Sequence, residues 1–150
     1  MADLCIVTCG KKKIWDKNPN TGPTEAKNVY IGPLSKKGIK YAEKFYPDTW
    51  MILSAKHGFL DPKDIITQNY DSSFNIKNSK TISLEELKIQ IQNENLDEYE
   101  RIIVLGGKKY TKLVINLFPD KEVINLLNDC KGIGYMLKKI NDTIIYDNKY

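Results

Sequence analysis

Three short apolar runs, Leu4-Cys5-Ile6-Val7-Thr8-Cys9, Trp50-Met51-Ile52-Leu53 and Arg101-Ile102-Ile103-Val104-Leu105, each stop at a polar loop carrying glycine and lysine. Apolar residues that run on without alternating are characteristic of strands covered on both faces, the condition of a parallel sheet. Helical spacing separates these runs. Ser35 precedes Ile39, Ala42 and Phe45, with Gly38 as the weak point and Pro47 as the stop; Ser83-Leu84-Glu85-Glu86 has the form of a capping box ahead of Leu87 and Ile91. Tyr110, Leu113, Val114 and Leu117 mark a further helix ending before Pro119. Val123 to Leu127 reads as a fourth strand, Ile133, Met136, Leu137 and Ile140 as a last helix, and Thr143 to Tyr146 as an edge strand. Strands alternating with helices predict an α/β three-layer sandwich with a mostly parallel central sheet and right-handed crossovers.

A chain of 150 residues makes one domain, taken as 1–150. No apolar run approaches the roughly 20 residues of a membrane span, and Met1-Ala2-Asp3-Leu4 does not open a signal peptide, so a cytoplasmic protein with no membrane partner is expected. Cys5 and Cys9 would stand roughly 13 Å apart along one strand, too far to share a metal or a disulfide, so neither metal nor cofactor is predicted. The formal charge of +4 is mild, but lysines cluster at 11–13, 36–37, 108–109 and 138–139. That distribution permits nucleic-acid binding without requiring it.

Ligands of open parallel sheets bind outside the carboxyl ends of the strands. The loops there read Cys9-Gly10-Lys11-Lys12-Lys13, Ser54-Ala55-Lys56-His57-Gly58, Gly106-Gly107-Lys108-Lys109 and Asn128-Asp129-Cys130-Lys131-Gly132. Glycine admits a ligand close to the backbone, and ammonium groups favour anions, so Gly10, Lys11, Lys12, Lys13, Ser54, Lys56, Gly58, Gly106 and Gly107 are predicted to bind an anionic ligand. Gly106-Gly107 equally suits a simple turn. Neither a P-loop nor a dinucleotide fingerprint is present, which disfavours ATP hydrolysis and Rossmann cofactors.

His57 has the side chain poised to exchange a proton near neutrality, against the alternative of a backbone hydrogen bond only. Cys9, beside three lysines, is expected to have a lowered thiol pKa and to be a candidate nucleophile, or else a small residue at a crowded strand end. Asp16 is the preferred carboxylate over Asp61, whose Pro62 suggests a turn. Trp15, Tyr30, Phe59, Tyr70 and Phe74 fall in or near two long irregular stretches, Lys13 to Ile31 and Gly58 to Thr81. Trp15 and Tyr70 are the expected base-stacking contacts, with Phe59 and Phe74 assigned to the core.

Cys9-Gly10-Lys11-Lys12-Lys13, Trp15-Asp16, Gly22-Pro23, Tyr30-Ile31-Gly32 and above all Leu53-Ser54-Ala55-Lys56-His57-Gly58-Phe59-Leu60-Asp61-Pro62 resemble an uncharacterised family allied to the peroxide stress protein YaaA. The match continues through Leu105-Gly106-Gly107, Tyr110 and Gly132-Ile133-Gly134. That family is similar in turn to the uracil-DNA-glycosylase-like domain of archaeosine tRNA transglycosylase-related proteins. The resemblance implies a uracil-DNA-glycosylase-like fold and DNA, RNA or modified bases as partners. Asp16 and His57 fall in loosely comparable places, although the water-activating and His-Pro-Ser motifs of those glycosylases are missing. The expected function is processing of nucleic acid or a modified base at its N-glycosidic bond. The alternatives are a non-catalytic DNA- or RNA-binding module in a stress or damage response, and an enzyme acting on a free nucleotide or nucleoside.

Overall fold

The computed structural model describes residues 2–70, 81–128 and 130–146. The first apolar run forms β1 (Asp3–Thr8), the second β3 (Trp50–Ser54) and the third β6 (Arg101–Leu105), with β4 (Gly58–Leu60) and β7 (Glu122–Asn125) completing a five-stranded sheet of order β4-β3-β1-β6-β7. Strands β3, β1, β6 and β7 are parallel, and β4 folds back antiparallel on β3. The mostly parallel α/β architecture predicted from the apolar runs is therefore present, with one antiparallel edge that the sequence pattern did not reveal.

Successive side chains of β1 go to opposite faces, which splits the core in two. Leu4 and Ile6, with Leu53, Ile102 and Val104, pack on Leu87 and Ile91 of α4 (Leu84–Asn93) and on Val114 and Leu117 of α5 (Lys108–Leu117). Cys5 and Val7, with Ile52, Ile103 and Leu105, pack on Ile39, Tyr41 and Ala42 of α3 (Pro33–Phe45) and on Ile140 of α6 (Ile133–Ile145). Helices thus cover both faces, and every apolar residue of β1 from Leu4 to Val7 is at most 1% exposed. At roughly 1.5–3 kcal/mol for each large aliphatic side chain buried, this strand contributes strongly to stability.

Local chemistry sets the ends of the elements. Pro33 takes the first position of α3, where its fixed φ fits and its missing N–H is no loss, so the helix starts before Ser35. Gly38 permits α3 to press on the sheet, since a Cβ there would lie 3.0 Å from Val7 Cγ1. Ser83 caps α4 as its spacing predicts, accepting from the Glu86 N–H at 3.1 Å. Thr143 to Tyr146 is not an edge strand. Helix α6 runs through to Ile145 because Met136, Ile140 and Ile144 keep helical spacing against the core, and the Thr143 hydroxyl donates to the Lys139 carbonyl at 2.7 Å.

The two long stretches are not wholly irregular. They carry α1 (Ile14–Lys17), β2 (Thr24–Glu25), α2 (Ala26–Val29) and β5 (Ile65–Ile66), and β2 pairs antiparallel with β5. The Ala26 N–H donates to the Asp64 carbonyl at 2.7 Å and the Lys27 N–H to the Pro62 carbonyl at 3.0 Å, so one loop is laced to the other. Among the described residues, no helix is long and apolar enough to cross a membrane.

The turn from β3 to β4 depends on Gly58, whose φ of 74° lies in the left-handed region. A Cβ there would stand 2.2 Å from Gln90 Oε1, the atom that accepts the Phe59 N–H at 2.8 Å. Gly58→Ala is expected to cost about 2 kcal/mol through left-handed strain plus loss of that bond. A urea midpoint that falls while the m-value holds would register it, and an unchanged midpoint would contradict it.

Candidate functional site

Chain order reverses between β1 and β6: β3 pairs on one side of β1, and the chain then returns to pair β6 on the other. The crevice outside the carboxyl ends of the strands at such a reversal is where α/β sheets take ligands. Cys9, Lys13, Ser54, Lys56, His57 and Tyr70 meet here. Tyr30 and Tyr110 join them.

Tyr70 stands at the centre. Its hydroxyl is hydrogen-bonded to the Tyr30 hydroxyl and lies 2.8 Å from Ser54 Oγ. Ser54 is fully buried, and its oxygen accepts the Lys56 N–H at 3.2 Å and the His57 N–H at 3.1 Å. With both lone pairs engaged, the serine hydrogen is left for the phenol, so one hydroxyl both shapes the 55–57 turn and ties it to Tyr70. Burial pushes the Tyr70 phenol up to about 12, and Tyr30 and Tyr110 are raised for the same first cause, so all three are protonated donors at neutral pH.

Two cations face the Tyr70 ring, Lys13 Nζ at 4.4 Å from its centroid and Lys56 Nζ at 5.5 Å. Lys13 is 4% exposed, and its ammonium donates to the Lys11 carbonyl at 3.0 Å. Among the described residues it has no carboxylate within ion-pair distance. A buried cation so placed favours an incoming anion.

The His57 ring meets Tyr70 edge-on, at 5.1 Å between centroids and 89° between planes. Its Nε2 is buried, and nothing hydrogen-bonds to it among the described residues. Burial, and then the Lys56 charge, lower its pKa from the ordinary 6.5, so the imidazole is neutral at pH 7 and can take up a proton.

The thiol of Cys9 differs from its expectation. Burial raises its pKa and outweighs the Ala55 N–H, the Tyr110 hydroxyl and Lys13, which all act the other way. Lys11 and Lys12, the other two members of the run, extend into solvent and lend it no charge. Sγ lies 3.9 Å from the Tyr110 hydroxyl, which itself donates to the Cys9 carbonyl at 3.2 Å. The group is a protonated thiol within a hydroxyl-lined crevice.

Asp16 stands outside this cluster and positions it. Its Oδ2 accepts the Lys13 N–H at 2.9 Å, and its Oδ1 accepts from Asn69 Nδ2 at 3.2 Å, while Asn69 Oδ1 accepts the Tyr70 N–H at 2.9 Å. These bonds hold the exposed carboxyl below its ordinary value, and so it is ionised rather than poised as an acid. Trp15 lies in the core at 6% exposure with its indole N–H donating to the Thr21 carbonyl at 2.7 Å, which removes it from the ligand surface.

The glycines divide by role. A Cβ at Gly10 would meet Ser35 Oγ at 2.9 Å, and one at Gly106 would meet the Thr8 side chain at 2.6 Å, so both are glycine for packing. Gly58 is backed by Gln90 in the same way, and Gly107 opens α5 with free space around it. Phe59 is in the core, whereas Phe74 and Asp129 lie outside the described residues. In the sequence Tyr110 is legible as part of a helical face and of the family resemblance, but not as a member of the site. The signal for its polar role is its place in the first turn of a helix that begins at the carboxyl edge of the sheet.

The sequence profile of DUF6884, a family of unknown function, matches residues 4–141. The uncharacterized protein YfjM of Bacillus subtilis (strain 168) is 40% identical over 145 residues, covering 96% of each chain.

Proposed function

This chain belongs to the DUF6884 family, and we propose that its strand-end crevice binds the anionic part of a nucleotide-bearing ligand and acts at the base, by cleaving or exchanging an N-glycosidic bond. One observation carries the reading: a buried ammonium and an imidazole nitrogen, which among the described residues have respectively no carboxylate partner and no hydrogen-bond partner, flank the same Tyr70 ring. Lys13 and Lys56, with Lys11 and Lys12 at the rim, attract phosphate. His57 Nε2 takes the proton from an attacking hydroxyl or water as the bond from the sugar carbon to the base nitrogen breaks and a carbon–oxygen bond forms. The departing base carries the electron pair and is stabilised by the one phenol hydrogen that the Tyr30–Tyr70 bond leaves over, with the Lys56 ammonium beside it. Tyr70 keeps the cations and the imidazole in place rather than stacking on the base. The resemblance of the Ser54 to Pro62 stretch to the YaaA-allied family, and through it to uracil-DNA-glycosylase-like domains, supports the same class of chemistry.

The test is direct. Nucleosides, their 5′-monophosphates and labelled oligonucleotides are incubated with the protein, with binding followed by calorimetry and released base by chromatography. Binding that requires phosphate and weakens with salt, together with release of base, is the expected result. Equal affinity for nucleoside and monophosphate, or no binding to any of them, would overturn the phosphate assignment. Phosphate-dependent binding without base release would make this a binding module.

A further inference from the structure

Helix α6 bears a second feature that the strand-end chemistry does not use. Tyr135, Lys138, Lys139, Asp142, Thr143 and Tyr146 recur at three- and four-residue steps and line one side of the helix, while Met136, Ile140 and Ile144 turn to the core. With Cys130 and Lys131 they border a groove of about 580 Å³. Tyr135 and Tyr146 are 66% and 75% exposed, an unusual outlay of aromatic surface. Lys138 is paired with Asp142 at 3.1 Å, which leaves Lys131 and Lys139 without a carboxylate partner among the described residues.

Charge over the molecule is uneven in the same sense. The neighbouring helix α3 carries exposed Lys36, Lys40 and Lys44 against Glu43, whereas α4 and the turn after it, on the other face of the sheet, carry Glu85, Glu86, Glu94, Asp97 and Glu98 against Lys88. Such a field draws a polyanion to α6. Cys130, at the start of the groove, lies in the loop that follows the carboxyl end of β7, so the groove begins at the carboxyl end of the sheet and follows a helix roughly 20 Å long.

We propose that this groove is a track for single-stranded nucleic acid, with Lys131 and Lys139 neutralising phosphates and Tyr135 and Tyr146, roughly 16 Å apart along the helix, stacking on bases a few nucleotides apart. The inference rests on the nucleotide reading of the strand-end site and deepens it, making the ligand a polynucleotide rather than a free nucleotide. An acidic peptide would neutralise the lysines but leave both rings exposed. Single-strand readers combine basic grooves with aromatic platforms, and a stacked base is worth enough that losing one ring costs about tenfold in affinity.

The experiment compares wild type, Tyr135→Ala and Lys131→Ala/Lys139→Ala by fluorescence polarisation on labelled oligo-dT and oligo-rA across a salt series, with a nucleoside monophosphate measured in parallel by calorimetry. All of these side chains lie at the surface or its margin, and an unchanged melting curve confirms folding. Both variants should bind the oligonucleotides about tenfold or more weakly, and the double lysine variant should show a shallower salt dependence, with monophosphate affinity unchanged. Oligonucleotide binding that is absent in wild type or unaffected by the substitutions would overturn the groove. So would equal competition by poly-glutamate that is insensitive to Tyr135→Ala. Loss of monophosphate binding alone, with groove-dependent oligonucleotide binding retained, would instead remove the strand-end reading and leave the track standing.

Discussion

Replacing His57 with alanine is expected to lower turnover about 100-fold or more, the usual size of a general acid–base contribution. The imidazole is neutral at pH 7, because burial and Lys56 both disfavour its cation. The active form is therefore lost only when pH falls through a value below 6.5, and the acid limb of the rate profile should have its midpoint there. Stability follows the same sign. The folded chain takes up this proton less readily than the unfolded chain, so His57 leaves stability intact above 6.5 and erodes it as pH falls through the lower folded value. The stability gap between wild type and variant should accordingly narrow on acidification. His57→Gln keeps a donor that does not titrate, and partial recovery with it would identify hydrogen bonding rather than proton transfer. Full activity and an unaltered pH profile in His57→Ala would show the residue to be a spectator.

Ser54→Ala should be the most destabilising single-atom change at the site, by about 3 kcal/mol. It deletes an oxygen that satisfies two turn amides and a phenol in a fully buried position, and each polar group left without a partner costs roughly 1–3 kcal/mol. Ser54→Thr retains the hydroxyl but adds a methyl group at a position with no exposed surface, and it should recover only part of the loss. Thermal unfolding of both variants, with turnover measured well below the transition, separates instability from lost chemistry. A shift of Ser54→Ala by a degree or less would mean that the turn is held by something else.

The sheet was readable because burial on both faces forces unbroken apolar runs, and β1, β3 and β6 lie within a residue of them. Strand β4 was not. Three residues are too few for a pattern, and Gly58, which makes the turn possible, has the same appearance in the sequence as a glycine that cradles a ligand. Thr143 to Tyr146 has strand-forming residues, but tertiary packing of Ile140 and Ile144 overrode that preference. At the site, convergence of Cys9, Ser54, Lys56 and His57 followed from their places at strand ends. Sequence could not say which lysine of Lys11-Lys12-Lys13 is buried, since that depends on Tyr70 arriving from more than fifty residues away. Nor could it show that Asp16 is occupied in holding Asn69, or that Trp15 is spent on the core.

The pairing of β2 with β5 has an entropic consequence. Where a loop orders only when a ligand arrives, the free energy of ordering is subtracted from affinity. Here the strand pair, the Asp16–Asn69 hydrogen bond and the contact of Lys13 with Tyr70 join the two loops across the crevice. These contacts are made as the chain folds, so the described parts of the two loops, up to Tyr70, need little further ordering and complementary groups on a ligand retain nearly their full binding energy. Amide hydrogen exchange in β2 and β5 should accordingly be slow in the free protein and change little when the crevice fills.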